Sequence, residues 1–138
     1  MRKKHLIAMG ALVLTSSAAL AGLVTITPVS VTVNPDTSGS AVGSMSAARF
    51  SKNDVEYIGC GVRRIDTGAG VVVFGFCQAS TAAGVLGFCS SESPDLIASI
   101  GDQDDYSFIT FSWDSAGLCR AIGNSTQSFY IPSNIPTK

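Results

Sequence analysis

The chain has 138 residues, 46% of them hydrophobic, and carries a formal net charge of −1. That balance excludes non-specific nucleic-acid binding, which needs clustered Lys and Arg to displace counterions. The length suits one domain with a core of its own.

The chain opens on Arg2, Lys3 and Lys4, then runs apolar from Leu6 to Leu14 and ends this phase on Ala19-Leu20-Ala21. A basic, apolar, small-x-small order predicts a secretory signal peptide over residues 1–21, cut before Gly22. The apolar run is shorter than the roughly 20 residues that span a bilayer, and no later segment is long and apolar enough, so no membrane span is expected after cleavage. Three of the nine basic residues leave with the leader, so six basic residues face ten acidic ones. The single histidine, His5, leaves too. A mature chain without histidine has no Ser-His-Asp or Cys-His mechanism and lacks the commonest metal ligand. Secreted or periplasmic placement follows.

Residues 22–53 read as an N-terminal strand and a flexible linker. Val29, Val31 and Val33 alternate within Leu23 to Val33, broken early by Pro28. From Asn34 to Ser46 the composition turns to Gly, Ser, Asp, Pro and Ala, as in a linker. Ser44 to Phe50 is long enough for one helical turn. The compact β domain is expected over 54–138. Val55 to Arg64 and Gly70 to Ala79 flank Thr67-Gly68-Ala69-Gly70, where Gly68-Ala69 suits a two-residue type II′ turn. Counting outward from that turn sets Cys60 opposite Cys77 in a non-hydrogen-bonded pair, close enough for a disulfide.

A third strand, Val85 to Cys89, follows a Gly-containing loop. Ser93 as N-cap, Pro94 at N1, Asp95 in the first turn and Gly101 at the far end bound a two-turn helix with Leu96, Ile97 and Ile100 on one stripe. Tyr106 to Trp113 is a strand with Ile109, Phe111 and Trp113 on one side. Asp114-Ser115-Ala116-Gly117 turns it into Leu118 to Ile122, and Gln127 to Ile131 reads as the last strand. The expected fold is a mainly β, small antiparallel sheet or sandwich (β-β-β-α-β-β-β) with one short helix. The cysteines are even in number in a chain bound for an oxidising compartment, and none is closer than twelve residues to the next, unlike a C-x-x-C zinc site. With Cys60–Cys77 set by register, Cys89–Cys119 would staple the two β blocks. Each bridge should stabilise by about 3 kcal/mol.

The segments Tyr57-Ile58-Gly59-Cys60, Ser93-Pro94-Asp95-Leu96, Phe111-Ser112-Trp113-Asp114 and Phe129-Tyr130-Ile131-Pro132 give the last eighty or so residues a likeness. This part resembles small exported bacterial proteins of uncharacterised function. The resemblance implies export and a compact fold, and no activity.

Candidate chemistry is sparse. Asp102, Asp104 and Asp105 form an acidic knot that could seed a calcium site, but the spacing lacks the glycine and distant glutamate of an EF-hand loop, so no metal or other cofactor is expected. Glu56 and Glu92, the only glutamates, could in principle pair for glycoside chemistry, which needs no histidine. Most aromatics are needed for the core, with Trp113 and Tyr130 near strand ends and freest to bind. Asn124-Ser125-Thr126 has the form of a glycosylation sequon within a turn. The expectation is a secreted, non-catalytic domain that binds an unknown protein or surface partner. Its surfaces would be the arm Leu23 to Val33, the loop Asp102, Asp104 and Asp105, and the aromatics Trp113 and Tyr130. Two alternatives remain: a structural component of an envelope or extracellular assembly, and a histidine-free carboxylate hydrolase.

Overall fold

The computed structural model describes residues 22–132; the expected leader, 1–21, lies outside them. Seven strands form two antiparallel sheets, and the chain is mainly β, as expected. Sheet A has the order β1-β2-β6-β7, from β1 (Ser30–Val33), β2 (Gly39–Ser44), β6 (Phe108–Trp113) and β7 (Cys119–Ser125). Sheet B has the order β3-β4-β5, from β3 (Tyr57–Asp66), β4 (Val71–Ser80) and β5 (Leu86–Ser91). Helix α1 (Met45–Arg49) packs on β2 and β3, and helix α2 (Pro94–Gly101) on β3, β4 and β7.

Strand alternation decides what each sheet buries. Ile109, Phe111 and Trp113 all point inward from β6 and meet Ala41, Ile122 and the cysteines. Trp113 lies where the sheets meet: a Cβ on Gly39 would come within 2.5 Å of its ring, and one on Gly87 within 2.9 Å. Its indole N–H donates to the Thr37 carbonyl at 2.8 Å. From sheet B, Gly75 leaves room for α2, since a Cβ there would come within 2.6 Å of Ile100. The apolar stripe of α2 is thus seated on a glycine.

The β3–β4 hairpin has the expected register, with Cys60 opposite Cys77. Gly68 takes φ 77° and the Thr67 N–H donates to the Gly70 carbonyl at 3.0 Å, which closes the turn on those residues. Both bridges form, Cys60–Cys77 and Cys89–Cys119, the latter joining β5 of sheet B to β7 of sheet A. Paired cysteines of this kind belong to an oxidising, non-cytoplasmic environment. Among the described residues no helix is long and apolar enough to cross a membrane.

Three expectations change. The stretch 34–46, read as a linker, carries β2, which pairs along its whole length with β6. Its Gly and Ser are not loop markers here; Gly39 and Gly43 are small because Trp113 and Val29 press against them. The compact unit therefore does not begin at Asp54. The expected strand Gln127 to Ile131 is a 3-10 turn at Ser128–Tyr130, where the Tyr130 N–H donates back to the Gln127 carbonyl. Packing of Phe108, Phe129 and Tyr130 outweighs the strand propensity of those residues. Gly101 is the last residue of α2 rather than its stop; the cap is Asp102, and Ser93 holds the N-cap place without a side-chain capping bond.

Candidate functional site

The two sheets differ on their solvent faces. In sheet B, Cys60, Cys77 and Cys89 point inward, so alternation turns Tyr57, Ile65, Val72, Phe74, Leu86 and Phe88 outward. Leu86 is 63% exposed and Phe88 56%. A Cβ on Gly59 would meet nothing within 4 Å, so β3 is open to solvent at that position. Phe76 lies across Gly61, with the Arg63 guanidinium 4.9 Å from the centre of its ring.

This face runs into an unpaired edge. Strand β5 pairs with β4 only from Gly75 to Ser80, leaving Val71 to Phe74 as an overhang. The Thr67–Gly70 bond fixes the parity: even-numbered residues of β4 bond to β3, so the N–H and C=O of Val71 and Val73 point to the open side. Beside the overhang is a cleft of about 850 Å³, lined by Phe74, Phe88, Ser90, Glu92, Asp95 and Leu118 among others. Its size falls within the range of small-ligand and peptide sites. Its polar side is acidic at Glu92 and Asp95. Across it, the Arg120 guanidinium pairs with Asp114 at 2.5 Å. Asp114 accepts the Leu118 N–H at 2.9 Å and the Ala116 N–H at 3.0 Å, and these bonds with Arg120 hold its carboxyl below the usual carboxylate value.

The residues singled out from sequence are scattered. Trp113 is 7% exposed and belongs to the core, held by Thr37 and the two glycines. Tyr130 is half-buried at the opposite end of β6, stacked 5.1 Å from Phe108. It lines a smaller cleft of about 240 Å³ with Val24, Ile26 and Phe50. Asp102, Asp104 and Asp105 are exposed, and the loop takes its shape from backbone bonds between Asp104 and Ser107. Among the described residues no three His, Cys, Asp or Glu side chains converge to hold a metal ion. Glu56 accepts the Val29 N–H at 2.7 Å and the Asn53 amide at 3.2 Å, so it fastens the N-terminal segment. Asn124 is half-buried and donates its amide to the Ser99 carbonyl at 3.0 Å, which occupies the sequon asparagine.

The outer face of sheet B escaped the sequence reading, although its signal was present. Once Cys60 faces Cys77, Val72, Phe74 and Phe76 must share the face opposite the disulfide, and three such residues in a row mark it as apolar. No protein-family model matches the chain, and neither a curated protein nor a solved structure proved similar to it.

Proposed function

We propose that this is an exported, non-catalytic binding domain, freed of residues 1–21, which holds an extended segment of a protein partner on sheet B. The observation that carries this reading is the set of exposed apolar side chains on the outer face, Val72, Leu86 and Phe88, beside the unpaired overhang of β4. An extended segment laid beside Val71 and Val73 satisfies their backbone groups, while Phe74, Phe88 and Leu118 receive its side chains. Large exposed apolar patches on otherwise polar domains mark interaction surfaces.

Two further observations favour binding over the alternatives. Glu56 is engaged in holding Val29, which takes one of the two glutamates out of carboxylate chemistry. The N-terminal segment is built in rather than free to exchange: Val29 is buried, β1 pairs with β2, and the Thr25 N–H donates to the Phe129 carbonyl.

Site-specific photo-crosslinking in the native envelope and culture fluid tests the proposal. A crosslinker at Phe88 or Val72 should capture one discrete protein, and Val73→Pro, which removes an edge N–H, should abolish capture. The same crosslinker at Ala98, exposed on α2, should capture nothing. Equal capture at all three positions, or turnover of a glycan abolished by Glu92→Gln, overturns it.

A further inference from the structure

Three of the four cysteines lie in one row. The registers set Cys60 opposite Cys77 and Cys77 opposite Cys89, so three sulfurs from β3, β4 and β5 share the inner face. Cys119 meets this row from β7 through its bond to Cys89. Cys77 and Cys89 are fully buried and Cys119 is 5% exposed, whereas Cys60 is only partly buried. By the parity of the ladder, Cys77 and Cys89 form a hydrogen-bonded pair, whose Cα atoms sit about 5.5 Å apart, inside the span a disulfide bridges.

We propose that this row is a thiol–disulfide exchange site that takes an external dithiol at Cys60 and passes the exchange through Cys77 to the inter-sheet bridge. A thiolate of the dithiol attacks Cys60 Sγ, the one sulfur it can reach. A mixed disulfide forms, the Cys60–Cys77 bond breaks, and the electron pair leaves on Cys77 Sγ. The second thiol of the reagent then closes on the first, releasing Cys60 as thiolate and leaving the reagent oxidised to its disulfide. Cys77 thiolate, facing Cys89, attacks Cys89 Sγ; a Cys77–Cys89 bond forms and Cys119 leaves as thiolate. One dithiol is oxidised, one net disulfide of the protein is reduced, and Cys60 and Cys119 take up the two protons. The bond that staples the sheets is thereby opened by a reagent that never touches it.

Two measurements test this. The variants Cys60→Ser and Cys60→Ser/Cys77→Ser lack the same native bridge and differ only in the Cys77 thiol. Alkylation of Cys119 should be about tenfold faster in the first than in the second, and peptide mapping of the first should find Cys77–Cys89. Equal Cys119 rates, with only Cys89–Cys119 recovered, overturn the proposal. The native chain, treated with a limiting dithiol and quenched in acid, gives a reading that does not depend on the variants folding. A Cys77–Cys89 species with Cys60 and Cys119 alkylated supports the relay. Intermediates that all retain Cys89–Cys119, with Cys60 and Cys77 both alkylated, overturn it.

Discussion

Sheet A and sheet B are built by the same alternation, yet they meet solvent differently. Across sheet A the outward rows Thr32, Ser40, Ser112, Ala121 and Ser30, Val42, Thr110, Gly123 are small and mostly polar, and in the third, Ser44, Phe108 and Ser125, Tyr130 stacks on Phe108. Across sheet B the outward positions hold Val72, Phe74, Phe76, Leu86 and Phe88, with Arg63, Gln78 and Ser90 among them. Antiparallel sheets commonly bury one face and solvate the other, and sheet A follows that rule. Sheet B keeps apolar residues on both faces, although only its inner one is covered. The difference is not a demand of the fold, because sheet A shows that a polar outer face folds as well. Under the function proposed above, the inner faces serve folding and the outer face of sheet B serves binding.

The comparison can be broken or sharpened by substitution. The largest effect belongs to the shared interior: Trp113→Ala should lower stability by about 3–5 kcal/mol, read by urea denaturation, because it empties the junction between the sheets. Losing less than a quarter of that would mean Trp113 is not the keystone its packing implies. Next comes the covalent staple. Cys89→Ser/Cys119→Ser should cost about 2–4 kcal/mol in the same measurement. Its loop is longer, at 30 residues against 17, so the cost should exceed that of Cys60→Ser/Cys77→Ser.

The outer faces should respond in function and not in stability. Leu86→Ser/Phe88→Ser should shift stability by no more than about 0.5 kcal/mol while abolishing crosslinking from Val72. Thr110→Ala and Ser40→Ala on sheet A should leave both unchanged. A strongly destabilised Leu86→Ser/Phe88→Ser would place those side chains in the core and remove the contrast.

The smallest effect concerns pH at the β6–β7 turn. Asp114 is held below the carboxylate value of 3.8, chiefly by the Leu118 N–H and then by Arg120 and the Ala116 N–H. A depressed folded-state value means its stabilisation is complete above the unfolded value and is lost as pH falls through the folded one. The difference in Tm between the native chain and Asp114→Ala should therefore be constant at neutral pH and shrink below 3.8. A difference that grows on acidification would reverse the sign and the assignment.

The interior was legible in the sequence where local chemistry dictated geometry. Gly68 in its turn fixed the parity of β3 and β4, and with it the Cys60–Cys77 bond. Spacing alone puts Ile109, Phe111 and Trp113 on one side of their strand, the side that is buried. Legibility failed where a residue's reason lies far along the chain. Gly39 and Gly43 look like loop residues until Trp113 and Val29 are seen against them. Phe129 and Tyr130 look like strand residues until Phe108 stacks beside them. The site suffered in the same way. Trp113 reads as a strand-end binder because nothing local shows Gly87 arriving from the other sheet. The overhang of β4 depends on where β5 stops, and its last six residues carry no mark of that boundary.

Trp113 is also the only tryptophan of the chain. It sits opposite Cys119, at the seam where β1, β2, β5 and β6 converge. Intrinsic fluorescence from this chain is therefore a report on a single place. Thr37, Gly39 and Gly87, which meet the indole, lie outside the β3–β4 hairpin, so closure of that hairpin alone should be silent to this fluorophore. The emission shift during refolding instead times the moment the two sheets join. A neighbouring disulfide quenches an indole, so opening Cys89–Cys119 should brighten the native protein before it unfolds.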